Sequence, residues 1–176
     1  MFYEHLFCLQ HNGCGWQVAG IEVSKQAAAI ARKLTGAPIW VGSVNEFHSD
    51  KTFDAITAWE VLEHLPDPAD VIEILVGLLK PGGFLALSVP NWSSPWMRSS
   101  AKNEHWPPYH LTFWDRNTLY QLLSRAGLND ISVAEKPFAW EEEVGRMKWL
   151  YLPIALLRSF FWGHKGMHLY AIGRRL

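Results

Sequence analysis

Short apolar runs alternate with amphipathic runs along this chain, and the alternation predicts strands that alternate with helices. The predicted strands cover Gln17–Glu22, Pro38–Val41, Phe53–Trp59, Phe84–Val89, Ile131–Ala134 and His168–Ile172. The run FDAITAW at 53–59 is largely apolar, which is typical of a parallel strand that is covered on both faces. The chain is therefore expected to form an α/β fold of three layers around a mostly parallel sheet.

Capping residues mark the ends of three predicted helices. These helices are KQAAAIARKL between Ser24 and Gly36, VIEILVGLL after Asp67 and Pro68, and NTLYQLLSRA between Asp115 and Gly127. Proline suits the first helical turn because its missing N–H would have no helical partner there. A further helical segment is expected over residues 141–162. The KPGG sequence at 80–83 is expected to turn the chain into the strand that starts at Phe84.

The composition is that of one globular domain over residues 1–176. Hydrophobic residues make up 49% of the chain, and the formal net charge is −1. These values exclude a disordered chain and a protein that coats nucleic acid, so no nucleic-acid partner is expected. Two cysteines, Cys8 and Cys14, are too few for a disulfide framework, and a reducing, cytoplasmic setting is expected. The composition does not fix an oligomeric state.

One apolar run, WLYLPIALLRSFFW, covers residues 149–162. Pro153 and Arg158 interrupt it, and it is shorter than the roughly 20 apolar residues of a membrane-spanning helix. The start of the chain lacks the basic and apolar regions of a secretory signal. A buried or amphipathic helix is the main expectation for this run, and peripheral contact with a membrane is the alternative.

Four stretches, read in order, resemble the class I S-adenosylmethionine-dependent methyltransferases. They are GWQVAGIEVS (15–24), FDAITAWEVLEHLPDP (53–68), LLKPGGFLALSVPN (78–91) and PPYHLTFWDRNTLYQLLSRAGL (107–128). The resemblance is to the broad group that includes the ubiquinone-pathway O-methyltransferases, and it covers about residues 15 to 130. It implies a Rossmann-like sheet with an antiparallel last strand, and S-adenosylmethionine as the cofactor.

The same resemblance decides the interpretation of two early glycines. In the family, the glycine loop that holds the cofactor follows the first strand, and the acidic residue comes roughly 20 residues later, as in dinucleotide folds. Glu22 follows Gly15 by only seven residues, which leaves no room for a helix between them. Gly13 and Gly15 are therefore interpreted as turn glycines before the second strand.

The first strand and the glycine loop of the family are expected to be missing from this chain. Phe2, Leu6 and Leu9 recur at helical spacing, so residues 1–12 are interpreted as the tail of the first helix. The family's first strand is central in the sheet, and its loss would leave backbone groups unpaired. N-terminal truncation is the favoured explanation, and a sheet that re-pairs or borrows a strand is the alternative. Without the glycine loop, weak or no cofactor binding is expected.

The resemblance also implies a set of cofactor-binding residues just beyond the strands, where ligands bind in open α/β sheets. The carboxylate of Glu22 is expected to accept hydrogen bonds from the ribose hydroxyls, with Val23 beside it. Ser43 and Val44 are expected near the adenine, although the family more often has Asp or Glu at the position of Ser43. The two residues that end the fourth strand, Trp59 and Glu60, are expected at the edge of the cofactor.

The sequence EVLEH brings two carboxylates and an imidazole together. Glu60, Glu63 and His64 lie at positions i, i+3 and i+4, so one helical turn would put them on one face. Some relatives use this motif with a downstream histidine to bind a metal, which implies a Mg or Zn site with His110, or with His105 in its place. Such a metal would lower the pKa of the acceptor hydroxyl. Alternatively, His64 or His110 acts as the catalytic general base without a metal.

Two other kinds of site are excluded. His5, Cys8, His11 and Cys14 recur at every third residue, a spacing that differs from the common zinc-binding patterns. No G-x-S-x-G hydrolase motif follows a predicted strand.

The long connection at 91–113 carries several aromatic residues, among them Trp92, Trp96, Trp106 and Tyr109. A loop of this length in a compact domain is usually functional, so it is expected to form a lid over the acceptor. The sequence thus predicts an enzyme that methylates a small-molecule acceptor, most simply at a hydroxyl. A catalytically inactive methyltransferase-like binding or scaffold protein, or an inactive fragment, is the alternative.

Overall fold

The computed structural model describes residues 5–7, 17–95, 97, 106–135 and 166–176. Within these residues, seven strands form one sheet in the order β3-β2-β1-β4-β5-β7-β6. The strands are β1 (His5–Phe7), β2 (Gly20–Glu22), β3 (Ile39–Val41), β4 (Phe53–Trp59), β5 (Leu79–Pro90), β6 (Leu128–Glu135) and β7 (His168–Arg175). The helical segment expected over 141–162, and with it the apolar run at 149–162, lies outside the described residues.

Capping interactions set the ends of the helices. Those in the described residues are α1 (Lys25–Thr35), α2 (Pro68–Leu78) and α3 (Arg116–Arg125). The hydroxyl of Ser24 and the carboxylate of Asp115 each accept a hydrogen bond from a backbone N–H in the first turn, and Gly36 closes α1 with a left-handed φ of 69°. These three caps are confirmed. Asp67 precedes α2 as expected, but its side chain makes no capping hydrogen bond.

On the side of β1 that holds β4, β5, β7 and β6, the strand directions are those that were expected. β4 and β5 pair in parallel, while β7 pairs antiparallel with both β5 and β6. β2 and β3 are also parallel. The β2–α1–β3 and β4–α2–β5 connections run in opposite directions across the sheet, and right-handed crossovers therefore place α1 and α2 on opposite faces. The result is the expected three-layer α/β architecture.

β1 lies in the centre of the sheet and differs from the expectation. Leu6 stands opposite Ile21 of β2 and Ala58 of β4, and both pairings are antiparallel. The interpretation of residues 1–12 as the tail of a helix is therefore wrong for His5–Phe7. These residues satisfy backbone groups of β2 and β4 that would otherwise be buried without partners. The sheet re-pairs at the position that the resemblance gives to a parallel first strand.

Five of the six predicted strands differ in length from the prediction. Three of them differ only at their ends: the structure has β3 over Ile39–Val41, β6 over Leu128–Glu135 and β7 over His168–Arg175. β2 begins at Gly20 rather than at Gln17. β5 begins at Leu79 and includes the KPGG sequence, which forms an irregularity: Leu79 pairs with Phe53, whereas the next paired residue, Phe84, stands opposite Ala55. The expected turn therefore lies inside the strand, and Gly82 supports it with a φ of 80°.

The hydrophobic core lies between the sheet and the pair of helices α2 and α3. Its fully buried members include Leu62, Ile72, Leu75, Leu79, Leu85, Leu87, Leu119, Leu123 and Leu169. Arg175, near the end of β7, ties the sheet to the end of α2, because its Nη1 donates to the carbonyl oxygens of Val76, Gly77 and Leu79 at 2.8, 2.8 and 2.6 Å. In α1, by contrast, the buried residue is Ala28.

Candidate functional site

A pocket of about 190 Å³ lies at the carboxyl ends of β2 and β3 and beside the segment that follows β4. Its lining consists of Ile21, Glu22, Val23, Gly42, Ser43, Val44, Asn45, Val61, Leu65, Pro66, Asp67 and Val71. Ligands bind at this edge in open α/β sheets. Four of the residues expected to bind a cofactor, Glu22, Val23, Ser43 and Val44, therefore come together in one pocket.

Glu22 is one of the two acidic residues that line this pocket, with Asp67, and only 5% of its surface is exposed. Its Oε1 accepts a hydrogen bond from the backbone N–H of Ser24 at 2.8 Å, at the start of α1. The helix N-terminus favours a negative charge at this place. The carboxylate is thereby held in a fixed position beside the pocket.

The other wall is formed by the turn after β3. The N–H of Gly42 donates to the carbonyl of Glu22 at 3.1 Å, which joins the ends of the two strands. Ser43 then caps a short 3₁₀ helix, Val44–Glu46, and its hydroxyl accepts from the N–H of Asn45 at 3.4 Å. Gly42 has a φ of 150°, and a Cβ there would lie 2.3 Å from the ring of Trp40. Only glycine therefore fits this turn as it stands.

Trp59 and Glu60, the remaining residues expected at the cofactor, are not among the pocket-lining residues. The ring of Trp59 lies 6.2 Å from that of Tyr170 on β7. Glu60 has a left-handed φ of 52°, and its Oε1 accepts a hydrogen bond of 2.6 Å from the hydroxyl of Ser88 on β5. Its other oxygen, Oε2, lies 3.6 Å from Nε2 of His168 on β7. Glu60 thus connects three strands at the edge of the sheet.

A second cluster contains Glu63, His64 and His110, each with a ligand-type atom within 4.8 Å of the others. Glu63 and His64 belong to a 3₁₀ helix, Leu62–His64, rather than to an α-helical turn. Glu60 was expected on the same face but is not part of this cluster, because its left-handed backbone aims the carboxylate at Ser88. His105 lies outside the described residues.

Backbone contacts bring His110 to this cluster from a distant part of the chain. Nδ1 of His64 lies 2.7 Å from the carbonyl oxygen of Tyr109, and the N–H of Leu111 donates to the carbonyl of Glu63 at 2.7 Å. These bonds place the rings of His64 and His110 edge to face, with centroids 4.9 Å apart. Because a carbonyl can only accept, Nδ1 of His64 carries the hydrogen and Nε2 is the acceptor nitrogen.

Glu63 is the most deeply buried acid of the described site, with 1% of its surface exposed. Burial, followed by the charge of Glu60, raises the pKa of Glu63 to about 8. Its Oε2 has no hydrogen-bond partner among the described residues when both acids are ionised. A proton on one of the two carboxyl groups would let them hydrogen-bond, which adds to the rise. At neutral pH this side chain is therefore largely neutral unless a cation or another positive group binds there.

The long connection after β5 is described at both of its ends. Asn91 donates from Nδ2 to the carbonyl of Gly166 at 2.9 Å, which ties the start of the connection to the segment before β7. Trp92 packs with Trp106 and Phe113, at centroid distances of 5.5 and 4.4 Å. Trp96 lies outside the described residues, and a lid role for residues 91–113 remains a prediction.

The site residues predicted from the sequence do not include His168 and Ser88, which the structure brings next to Glu60. The sequence predicts both residues inside strands, whereas the predicted site residues lie at or beyond the ends of strands. An antiparallel strand begins at the edge where parallel strands end, so the first residue of β7 reaches the same edge as Glu60. The predicted antiparallel direction of β7 was therefore the signal that could have identified His168.

Comparison with known proteins gives the family. Residues 3–133 match the family model described as a methyltransferase domain. The ubiquinone biosynthesis O-methyltransferase of Vibrio cholerae serotype O1 is 37% identical over 84 residues, which are 44% of this chain and 34% of that protein. The matched region thus spans about a third of the length of this relative. Among the described residues, no helix is long and apolar enough to cross a membrane.

Solved structures of methyltransferases share the fold. A SAM-dependent methyltransferase of Thermotoga maritima, described as a possible histamine N-methyltransferase, has a TM-score of 0.68 at 21% identity, over 90% of this chain and 72% of that one. Phosphoethanolamine N-methyltransferase 2 of Haemonchus contortus, solved with S-adenosyl-L-methionine, has a TM-score of 0.65 at 14% identity, over 92% and 44%. Because the family model matches well over half of its residues, this chain belongs to the class I S-adenosylmethionine-dependent methyltransferase family.

Proposed function

We propose that this chain binds the adenosine end of S-adenosylmethionine in the pocket beside Glu22 and takes part in methyl transfer to a small-molecule acceptor, most simply to a hydroxyl. The observation that carries the proposal is a buried carboxylate, held by the N-terminus of α1, on the wall of a pocket at the carboxyl ends of β2 and β3. The name of the Vibrio cholerae relative, an O-methyltransferase, supports oxygen as the acceptor atom.

The lining of the pocket fits a nucleoside. Ionised Glu22 is an acceptor and suits the two hydroxyl donors of a ribose, as the acidic residue does in dinucleotide folds. Val44, Val61 and Leu65 supply apolar surface for a base. Neither Trp59 nor Glu60 lines this pocket, so we assign them to the side of the site that faces the acceptor.

When bound, the cofactor supplies a methyl group on a sulfonium that is already activated. The contribution of the protein is then mainly to hold the acceptor oxygen in line, and effective-molarity arguments allow about 7–11 kcal/mol from such positioning. Removal of the hydroxyl proton adds a further, smaller factor. From the sequence, His64 and His110 are the candidates for that base.

The cluster of Glu63, His64 and His110 also suits a divalent cation, either Mg²⁺ or Zn²⁺. Two imidazoles and one carboxylate are a common set of protein ligands for zinc, and the partnerless Oε2 of Glu63 would gain a positive partner. A bound cation would act as a Lewis acid toward the acceptor oxygen.

Calorimetric titration with ZnCl₂ and MgCl₂ tests the cation. We expect Glu63→Gln and His110→Ala to abolish the heat of binding, and His48→Ala to leave it unchanged, because His48 is an exposed histidine of another segment. Equal heats in the wild type and in both cluster variants would reject this site.

The cofactor proposal is tested by titration with S-adenosylhomocysteine, monitored by NMR so that weak binding is detected. No D-x-G-x-G-x-G sequence occurs in the chain, and the affinity is expected to be low. Glu22→Gln should weaken binding by about 10- to 100-fold, the usual loss when a charged hydrogen-bond partner is removed. Glu73→Gln, an exposed acid on α2, is the matched control.

A protein that binds the cofactor without transferring methyl groups is the second candidate function. It would show the same loss of binding in Glu22→Gln but no labelled product with any acceptor. If Glu22→Gln binds S-adenosylhomocysteine as tightly as the wild type does, Glu22 does not hold the cofactor. Both candidate functions, methyl transfer and cofactor binding alone, are then rejected for this pocket.

A further inference from the structure

His168 lies at the edge of the sheet where the methyl acceptor of the proposed function would approach. It is the first residue of β7 and stands opposite Pro90, the last residue of β5. Its side chain is 38% exposed. The ring is therefore open to a ligand at the carboxyl ends of β4 and β5.

A carboxylate lies beside the imidazole of His168. Oε2 of Glu60 lies 3.6 Å from Nε2 of His168, while Oε1 of the same carboxylate accepts the 2.6 Å hydrogen bond from Ser88. Ser88 is 3% exposed, so its hydroxyl is fixed in the interior of the sheet. Each part of this Ser88–Glu60–His168 chain belongs to a different strand or strand end.

The backbone conformation of Glu60 directs its carboxylate toward Ser88 and His168. Its φ of 52° is uncommon for a residue other than glycine, and such conformations persist where the surroundings impose them. The N–H of Glu60 donates to the carbonyl of Ser88 at 3.1 Å, in addition to the contact made by its side chain. The turn is thus locked with the carboxylate directed toward β5 and β7.

We propose that His168 is the general base that takes the proton of the acceptor hydroxyl, and that Glu60 and Ser88 are positioning residues for its ring. The assignment rests on the proposed function of methyl transfer to oxygen. A carboxylate next to Nε2 favours the tautomer with hydrogen on Nε2, which leaves the lone pair on Nδ1 for the acceptor. Contacts of this kind are often long before substrate binds and shorten afterwards.

The two histidines of the other cluster are placed differently. His110 is 8% exposed, and His64 has its Nδ1 engaged by the carbonyl of Tyr109. Both converge on buried Glu63. These rings suit a bound cation better than direct contact with a large acceptor.

The chemical step balances without any further reactant. The hydroxyl proton moves to Nδ1 of His168 as the oxygen lone pair forms a bond to the methyl carbon. The carbon–sulfur bond breaks, and its electron pair remains on sulfur, which becomes a neutral thioether. The proton on the imidazole then passes to water, and the imidazole returns to its neutral form.

Few charged groups surround this ring in the described part of the chain. The carboxyl group of Glu60 lies within 4 Å of it, and that of Glu63 lies next to Glu60. Tyr170 follows on the same strand, and Glu135 stands opposite Leu169 on β6. Glu60 is therefore the group whose removal should change the behaviour of His168.

The first experiment needs no acceptor and reads the ring of His168 directly. In protein labelled with ¹⁵N-histidine, two-bond ¹H–¹⁵N correlation spectra distinguish the tautomers of the neutral ring. We expect hydrogen on Nε2 of His168 in the wild type, and a mixture of tautomers in Glu60→Gln, whose amide can donate as well as accept. Hydrogen on Nδ1 in the wild type would overturn the assignment.

The second experiment measures methyl transfer from radiolabelled S-adenosylmethionine, at saturating concentration, to catechol as the acceptor probe. His168→Ala should lower kcat by about 10²- to 10⁴-fold, the usual contribution of a general base, and added imidazole should restore part of the rate. Glu60→Gln should give a smaller loss, and His48→Ala none.

The outcomes separate this assignment from the proposed function. A wild-type rate in His168→Ala, or a loss that imidazole does not restore, overturns the role of His168 while methyl transfer stands. If the wild type transfers no methyl group to catechol, the proposed O-methylation falls and the role of His168 falls with it. Unchanged binding of S-adenosylhomocysteine by His168→Ala would show that the cofactor pocket is intact.

Discussion

The two halves of the sheet are built differently. In the short-strand half, β1, β2 and β3 are three residues long each, and α1 packs against β2 and β3. In the long-strand half, β4, β5, β6 and β7 are 7, 12, 8 and 8 residues long, and α2 and α3 cover them. The hydrophobic core belongs to the long-strand half, yet the pocket beside Glu22 lies mainly in the other.

This difference separates the source of stability from the place where we propose that the cofactor binds. Regions with few buried apolar contacts open most easily, and ligand-binding segments are often drawn from them. A ligand that binds only the folded form stabilises it by mass action. We therefore expect the cofactor to stabilise the short-strand half, whereas the long-strand half is stable through its own packing.

The largest effect should come from the core of the long-strand half. Leu87 of β5 is fully buried, and Leu87→Ala should lower the free energy of unfolding by about 2–5 kcal/mol. Leu34→Ala on α1 is the matched control, because Leu34 is 75% exposed and its truncation should change stability by less than about 0.5 kcal/mol. Urea denaturation measures both. Similar losses in the two variants would break the distinction between the halves.

The next effect is a dependence of stability on pH at the junction of the halves. The folded state raises the pKa of Glu63 from 4.5 to about 8, so it retains a proton that the unfolded chain has lost. The contribution is fully present below the unfolded pKa and is lost as the pH rises through the folded pKa, so stability should fall by up to a few kcal/mol between about pH 4.5 and pH 8 and stay level above that.

Glu63→Gln tests this dependence, since a neutral amide cannot lose the proton. Its free energy of unfolding, measured by urea denaturation at several pH values, should be nearly flat over the same range. Glu73→Gln should keep the slope of the wild type. A wild-type slope in Glu63→Gln would show that another group causes it.

A third effect concerns the contact between β7 and α2 within the long-strand half. Arg175 donates to three carbonyl oxygens at the end of α2, and Arg175→Ala should cost about 1.5–3 kcal/mol because these acceptors, two of them partly buried, lose a charged donor. Arg174, which makes one exposed hydrogen bond to Gly82, is the matched control. If urea denaturation shows that Arg175→Ala and Arg174→Ala lose equal free energy of unfolding, the three hydrogen bonds of Arg175 add no specific stability.

The smallest expected effect on stability compares two glycines, one from each half. Gly42→Ala places a Cβ against the ring of Trp40 at a φ of 150°, and should cost about 1–3 kcal/mol locally and weaken binding of S-adenosylhomocysteine. Gly77→Ala on α2 meets nothing within 4 Å and should stabilise the helix by up to about 1 kcal/mol. Denaturation and binding titrations measure both variants. Equal changes in stability and in binding of S-adenosylhomocysteine for Gly42→Ala and Gly77→Ala would contradict the comparison.

Most local elements of the fold could be predicted from the sequence. The limits of β4 match the prediction, and Ser24, Gly36 and Asp115 cap helices where expected. These signals act over a few residues, because a cap bonds to the next turn and a buried strand shows its burial in its own composition. Glu22, Val23, Ser43 and Val44 were predicted from their places at or just after the ends of strands, and they line one pocket, while their role in cofactor binding stays a prediction.

The sequence by itself thus determined the helices, most strands and the edge of the sheet where a ligand would bind. Only the tertiary structure decided the antiparallel direction of β1, the left-handed turn that brings Glu60 to Ser88, and the meeting of Glu60 with His168. These features depend on hydrogen bonds between residues that lie far apart in the chain. No local pattern encodes such partners, because a strand or a carboxylate of the same sequence satisfies its bonds with whichever neighbour the fold places beside it.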